Sequence, residues 1–205
     1  MKVKICGLRR PADADAAIGL GATHLGVVLA EDSPRCATSR EARDIVRMVR
    51  GAAEIVLVFR GESDEVIRAQ CDAIGIVRVQ VHGAGHARCR GLAAAGLLPM
   101  PVAVVAEGAQ SLPSFAESPA ELTPAVLDGG CGGAGQVFPW SLLGSNSPYA
   151  VFVAGGIRPT NVRRLLQCEP WGIDVSSGVE LEPGVKDPVL MSQLFHAVRS
   201  LGAKQ

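Results

Sequence analysis

No sign of charge predominates in this chain: twenty Lys and Arg balance twenty Asp and Glu. It therefore offers no basic face to neutralise phosphates along a duplex, which excludes non-specific nucleic-acid binding. No apolar run approaches the roughly 20 residues that span a bilayer, and residues 1–6 lack the basic, apolar and small-residue sections of a secretory signal. A soluble, cytoplasmic protein without a membrane partner is expected. CxxC pairs are missing as well, and the cysteines lie scattered at Cys6, Cys36, Cys71, Cys89, Cys131 and Cys168. The histidines, His24, His82, His86 and His196, show neither HExxH nor Cys2His2 spacing, so reduced thiols and no metal are expected. With 48% hydrophobic and 20% charged residues, the composition also lacks the signature of disorder. Since no linker or compositional break interrupts the 205 residues, a single domain over 1–205 is expected.

What the chain does contain is a repeated unit: a short β-branched run, a polar turn, then a helical stretch. The pattern predicts strands over 3–6, 24–30, 54–59, 76–82, 101–106, 125–128, 149–154 and 172–177. It predicts helices over 10–20, 40–50, 64–74, 84–95, 159–167 and 188–201. Strands this short and this apolar suit burial on both faces, and their alternation with helices implies right-handed parallel crossovers. Eight such units fit either an open doubly wound sheet or a closed α/β (β/α)8 TIM barrel. The barrel is favoured because the first strand begins almost at once and a full helix follows the eighth, covering its outer face. The fifth unit is the weak one, since 107–124 carries three prolines with Gly and Ser. A degenerate fifth helix is expected there.

In such a barrel, polar groups at the C-terminal ends of the strands converge on one face. Val153-Ala-Gly-Gly-Ile157 and Val175-Ser-Ser-Gly-Val179 leave the last two strands. Gly155, Gly156, Ser176, Ser177 and Gly178 either turn and cap the chain or, as a pair of loops on adjacent strands, cradle a phosphate. Cys6 ends the first strand, on the same face as Lys4, whose ammonium favours the thiolate. It is a small buried hydrophobe or a base. Asp128 closes the apolar run 125–127 before a Gly-rich stretch, 129–135, and is a turn residue or an acid raised by partial desolvation. Arg35, after Ser33-Pro34, suits a planar carboxylate or a phosphate unless it is solvated. Asp174 lies within the eighth strand, where a charge needs a partner or a ligand. His82 stacks on a substrate, donates to it or fills the rim. Trp140 and Trp171 are expected to pack helices and loops.

Read in order, these residues resemble the phosphoribosylanthranilate isomerases of tryptophan biosynthesis. The likeness rests on Val3-Lys-Ile-Cys-Gly-Leu8, Ser33-Pro-Arg35, Val79-Gln-Val-His-Gly83, Val126-Leu-Asp128 with Gly135-Gln-Val-Phe-Pro-Trp140, Ala154-Gly-Gly-Ile-Arg-Pro-Thr-Asn161, Gly172-Ile-Asp-Val-Ser-Ser-Gly-Val-Glu180 and Pro183-Gly-Val-Lys-Asp187. The resemblance implies an Amadori rearrangement of an aminoaldose, N-(5-phosphoribosyl)anthranilate, to the aminoketose. It also implies Asp128 as general acid, Cys6 as general base and Arg35 on the anthranilate carboxylate. Gly155, Gly156, Ser176, Ser177 and Gly178 would hold the phosphate, with His82 and Asp174 as further substrate contacts. No cofactor is implied, and the expected partner is a small phosphorylated substrate, bound by a monomer or homodimer. The loop after Asp128 departs from the family pattern: it is short, has alanine where threonine is common, and carries Cys131. The alternatives are the related histidine-pathway aminoaldose isomerase and a non-catalytic barrel that binds a phosphorylated metabolite. The first would need a second phosphate cradle, whereas the loop after the third strand, Phe59-Arg-Gly-Glu-Ser-Asp-Glu65, is acidic.

Overall fold

Each apolar run forms a parallel strand with a partner on both sides, and the eight close into a barrel. The computed structural model describes residues 1–113, 124–130, 137–143 and 150–202. The barrel strands are β1 (Lys2–Cys6), β2 (His24–Val28), β3 (Glu54–Arg60), β4 (Arg78–His82), β5 (Leu98–Val104), β6 (Ala125–Asp128), β7 (Val151–Ala154) and β8 (Gly172–Val175). Closure comes from β1 pairing with β8, from Lys2↔Gly172 to Ile5↔Val175. Around the outside lie α1 (Pro11–Leu20), α2 (Ser39–Val49), α3 (Asp64–Ile74), α4 (His86–Ala94), α5 (Val162–Leu166) and α6 (Pro188–Gly202). The expected (β/α)8 barrel is the observed architecture. A short hairpin, β9 (Glu180–Glu182) with β10 (Val185–Lys186), follows β8 and was not foreshadowed by the periodicity.

Local chemistry sets the helix starts. Thr38 and Glu41 form a reciprocal capping box on α2, in which Glu41 N–H donates to Thr38 Oγ1 and Thr38 N–H donates to Glu41 Oε2. Ser63 Oγ accepts from Val66 N–H at the start of α3, and Pro11 opens α1 where its missing N–H costs nothing. Period-two alternation then divides the core. Val3, Ile5, Leu25, Val27, Leu57, Val79 and Ile173 pack outward against the helices. Cys6, Val28, Val56, Val58, Met100, Val126, Phe152 and Ala154 fill the barrel. At its N-terminal end Phe152 meets His24 and Trp171 edge-on. Gly172 leaves room for the Phe152 ring, which a Cβ there would meet at 2.7 Å.

β2, β4 and α4 are each shorter than expected by two or three residues, and three further elements differ for a visible reason. β5 begins at Leu98, three residues earlier than the prolines Pro99 and Pro101 suggest. Leu98 N–H donates toward β4, at Val77 O, so alternation turns the missing donors of both prolines toward β6, whose ladder with β5 starts only at Val102. α5 is shorter than predicted because Asn161 stays outside it to hold the preceding loop. β8 ends at Val175, and Ser177–Val179 turns into a 3-10 helix. The segment expected to hold a degenerate fifth helix falls largely outside the described residues, as do most of the Gly-rich stretch and Cys131.

Candidate active site

The C-terminal ends of the strands surround an open pocket of about 110 Å³. All ten residues singled out in the sequence line it: Cys6, Arg35, His82, Asp128, Gly155, Gly156, Asp174, Ser176, Ser177 and Gly178. Their convergence follows from topology. Nine stand at or beyond the C-terminal end of a strand and Asp174 lies just inside β8, so six segments far apart in sequence meet at one space.

Cys6 and Asp128 come from β1 and β6, separated around the barrel by β7 and β8. Cys6 is buried, and its side chain occupies space that β2 leaves open at Gly26, where a Cβ would meet Sγ at 2.6 Å. Burial pushes the thiol above its ordinary range, while the Lys4 ammonium draws it back and Asp174 opposes Lys4. The sequence expectation that Lys4 favours the thiolate thus has the right sign for that one interaction. The net outcome is reversed by desolvation, which periodicity does not reveal. Asp128 is also buried, and its Oδ1 accepts from Gly130 N–H at 3.1 Å, fixing the carboxyl at the mouth of the glycine stretch.

Between these two residues around the rim, the loops after β7 and β8 are pressed together. Gly155 and Gly156 adopt φ of 94° and 62°, a region closed to most L side chains. Asn161 secures that loop: its Oδ1 accepts from Arg158 N–H and its Nδ2 donates to Gly156 O, both at 2.8 Å. A Cβ on Gly178 would lie 1.8 Å from Ile157 O. At Gly155, Gly156 and Gly178 the pocket therefore presents backbone without side chains, the surface an anionic group can approach most closely, beside Ser176 and Ser177.

A buried ion cluster supports these loops. Glu180 accepts from Arg35 Nε (2.9 Å) and Nη2 (2.7 Å), from Lys186 Nζ (2.7 Å) and from Gly184 N–H (3.2 Å). Lys186 Nζ also donates to Ser176 O at 3.3 Å, tying the β9–β10 hairpin to the end of β8. Burial works against the charge of Glu180, yet the two cations hold its carboxyl below the usual range. Burial likewise pushes Lys186 down despite Glu180. The Arg35 fork faces a carboxylate of its own chain, so it is neither solvated nor loose. Glu180, Lys186 and Asn161 belong to the quoted motifs but were given no role, because their partners come from distant segments.

Further down, Lys4 Nζ donates to Asp174 Oδ2 at 2.8 Å, inside the barrel and away from solvent. Asp174 thus has the partner its burial requires, and its Oδ1 has no hydrogen-bond partner among the described residues. His82 is pushed down to about 4 by burial and then by the Lys4 charge. Its neutral Nε2 accepts from Gln80 Nε2 at 3.0 Å. No group of three or more His, Cys, Asp or Glu able to hold a metal occurs among the described residues. Cys6, Cys36, Cys71, Cys89 and Cys168 form no disulfide. Chemically, the pocket sets a thiol and a carboxyl on two walls and a backbone-lined anion cradle at a third.

Comparison with known proteins follows the same outline. The family model described as "N-(5'phosphoribosyl)anthranilate (PRA) isomerase" matches residues 3–197. A protein of Leptothrix cholodnii named N-(5'-phosphoribosyl)anthranilate isomerase is 38% identical over 208 residues, covering 99% of this chain and 93% of that one. Among solved structures, the phosphoribosyl anthranilate isomerase of Thermus thermophilus superposes with a TM-score of 0.84 at 31% identity, covering 98% of this chain and 100% of that one. Another structure of this kind, in complex with reduced 1-(o-carboxyphenylamino)-1-deoxyribulose 5-phosphate, superposes with a TM-score of 0.78 at 26% identity, covering 98% and 99%.

Proposed function

The chain belongs to the N-(5'-phosphoribosyl)anthranilate isomerase family, and from that premise we propose that it rearranges N-(5'-phosphoribosyl)anthranilate by acid–base catalysis between Asp128 and Cys6. One observation carries the reading: the thiol and the carboxyl stand on separate walls of a single pocket, whose remaining end is the glycine-lined cradle of 155–156 and 176–178. Protonated Asp128 gives its proton to the furanose oxygen, the C1–O bond opens and an iminium forms. Cys6, as thiolate, removes the C2 proton, and the resulting enolamine tautomerises to the ketone. These are proton transfers throughout, for which positioned side chains suffice.

The substrate's phosphate occupies the cradle of Gly155, Gly156, Ser176, Ser177 and Gly178. Held there, remote from the reacting carbons, it fixes the sugar between base and acid. Arg35, oriented by Glu180, turns its remaining guanidinium edge to the anthranilate carboxylate. His82, neutral, and the open oxygen of Asp174 face the sugar. The carbon skeleton lies against Val28, Ala30 and Val58. No described helix is long and apolar enough to cross a membrane, and the enzyme acts in the cytoplasm, as a monomer or homodimer.

The deciding experiment is an assay of the purified protein with freshly made phosphoribosylanthranilate, following loss of its fluorescence, in buffer containing a chelator and alongside the histidine-pathway aminoaldose. Cys6→Ala and Asp128→Asn should each lower kcat by about 10²-fold or more, with affinity for a reduced product analogue largely kept. Near-normal turnover in either variant removes that residue from the mechanism.

A further inference from the structure

One buried charge pair occupies a layer that barrels ordinarily fill with branched aliphatic side chains. Lys4 and Asp174 are register partners on β1 and β8 and point into the barrel, 2.8 Å apart, with Asp174 at the floor of the pocket. Lys4 is wholly buried. Replacing such a pair by apolar residues is commonly neutral or stabilising, and here Asp174 Oδ1 is also buried without a partner among the described residues. Stability therefore does not account for the pair. Its position does: Lys4 precedes Cys6 by two residues on the same face of β1, so its side chain rises inside the barrel to bring the ammonium to the thiol.

Resting on the reading of Cys6 as the base, we propose that Lys4 is a positioning residue for it: Asp174 keeps Lys4 charged inside the barrel, and the ammonium stabilises the thiolate that removes the substrate's C2 proton. The charged groups acting on the thiol are Lys4 from β1, Asp174 from β8 and Lys186 from β10. Arg35, His82 and Asp128 share the pocket, while β2 presents Gly26 beside the thiol and the titratable His24 beside Lys4. Of the pair, Lys4 has the stronger effect on Cys6, so the two together ease ionisation against the cost of burial.

The test is alkylation of Cys6 by iodoacetamide as a function of pH, resolved by mass spectrometry of its peptide, beside the pH dependence of kcat/KM. Lys4→Met should raise the Cys6 midpoint by about 1–3 pH units, slowing alkylation at neutral pH about tenfold or more. The double variant Lys4→Met/Asp174→Asn should move it in the same direction by less, because both charges leave together. The acidic limb of kcat/KM should follow the thiol in each. A Cys6 midpoint that stays at its wild-type value in a folded variant overturns the proposal. Lys4→Met strands a buried carboxylate, so if that variant does not fold, the charge-neutral double variant decides. Failure of the base assignment shows itself separately, as near-normal turnover of Cys6→Ala. An idle Lys4 leaves Cys6→Ala inactive and the thiol unmoved.

Discussion

Gly178→Ala is the sharpest probe of the anion cradle. The added methyl would lie 1.8 Å from Ile157 O and 2.8 Å from Ile157 C, both backbone atoms that no rotamer change can move aside. Restoring ordinary contact separates the loops after β7 and β8 by more than about 1 Å. Overpacking of this kind costs about 1–3 kcal/mol, which for a chain of this size lowers Tm by roughly 3–10 °C. A displacement of about 1 Å in a substrate-positioning element lowers kcat/KM by up to about 100-fold. The comparison variant is Gly19→Ala in α1, where a Cβ meets nothing within 4 Å, and which should gain about 0.5–1 kcal/mol from helix propensity alone. Thermal unfolding followed by circular dichroism, KM for the aminoaldose and competitive inhibition by inorganic phosphate read the outcome. A lower Tm with KM and phosphate inhibition within twofold of wild type would show that the loops pack as described but hold no phosphate. An unchanged Tm as well would refute the packing argument itself.

Two further perturbations separate charge from shape. His82 has a folded pKa of about 4 against an ordinary value of 6.5, so the unfolded chain binds the extra proton between those values and stability falls as pH drops from about 7 to 4. His82→Gln should flatten that part of the stability curve by on the order of 3 kcal/mol relative to wild type, and coincident curves in denaturant titrations at pH 7 and 4.5 would contradict it. Glu180→Gln leaves two buried cations without their counter-charge and should cost about 3–5 kcal/mol, with KM raised as Arg35 and the hairpin lose their anchor. Because Glu180 is held below the usual carboxylate range, the wild type's advantage should be present at neutral pH and disappear in acid. An advantage that persists in acid would mean the carboxylate's charge is not what matters.

The barrel was legible because its signals are local. A run such as His24 to Val28 is apolar on both faces, the Thr38 and Glu41 spacing marks a helix start, and Asp64–Ile74 has the period and caps of a complete helix. Where expectation slipped, a tertiary partner decided. Pro99 and Pro101 read as a strand boundary, yet their missing donors point to an edge where β6 has not begun. The apolar pattern carries the expected eighth strand two residues too far, to Ser177, whereas Lys186, reaching across from the hairpin, captures Ser176 O.

The site followed from one inference of the same local kind, that chemistry gathers at strand ends in a barrel, and this brought Cys6 and Asp128 into one pocket despite their separation in sequence. What spacing does not carry is pairing across the barrel. Arg35 and Glu180 are 145 residues apart, and Lys4 and Asp174 are 170 apart. Each pair is visible in sequence only as an unexplained charge in an apolar or glycine-rich setting. Such charges are costly when buried alone, so each demands a partner that the fold must supply. Glu180 fixes one edge of the Arg35 guanidinium, and Asp174, the register partner of Lys4 on β8, holds the Lys4 ammonium inside the barrel, so the proposed substrate and thiol contacts of both cations depend on carboxylates supplied from β8 or just after it.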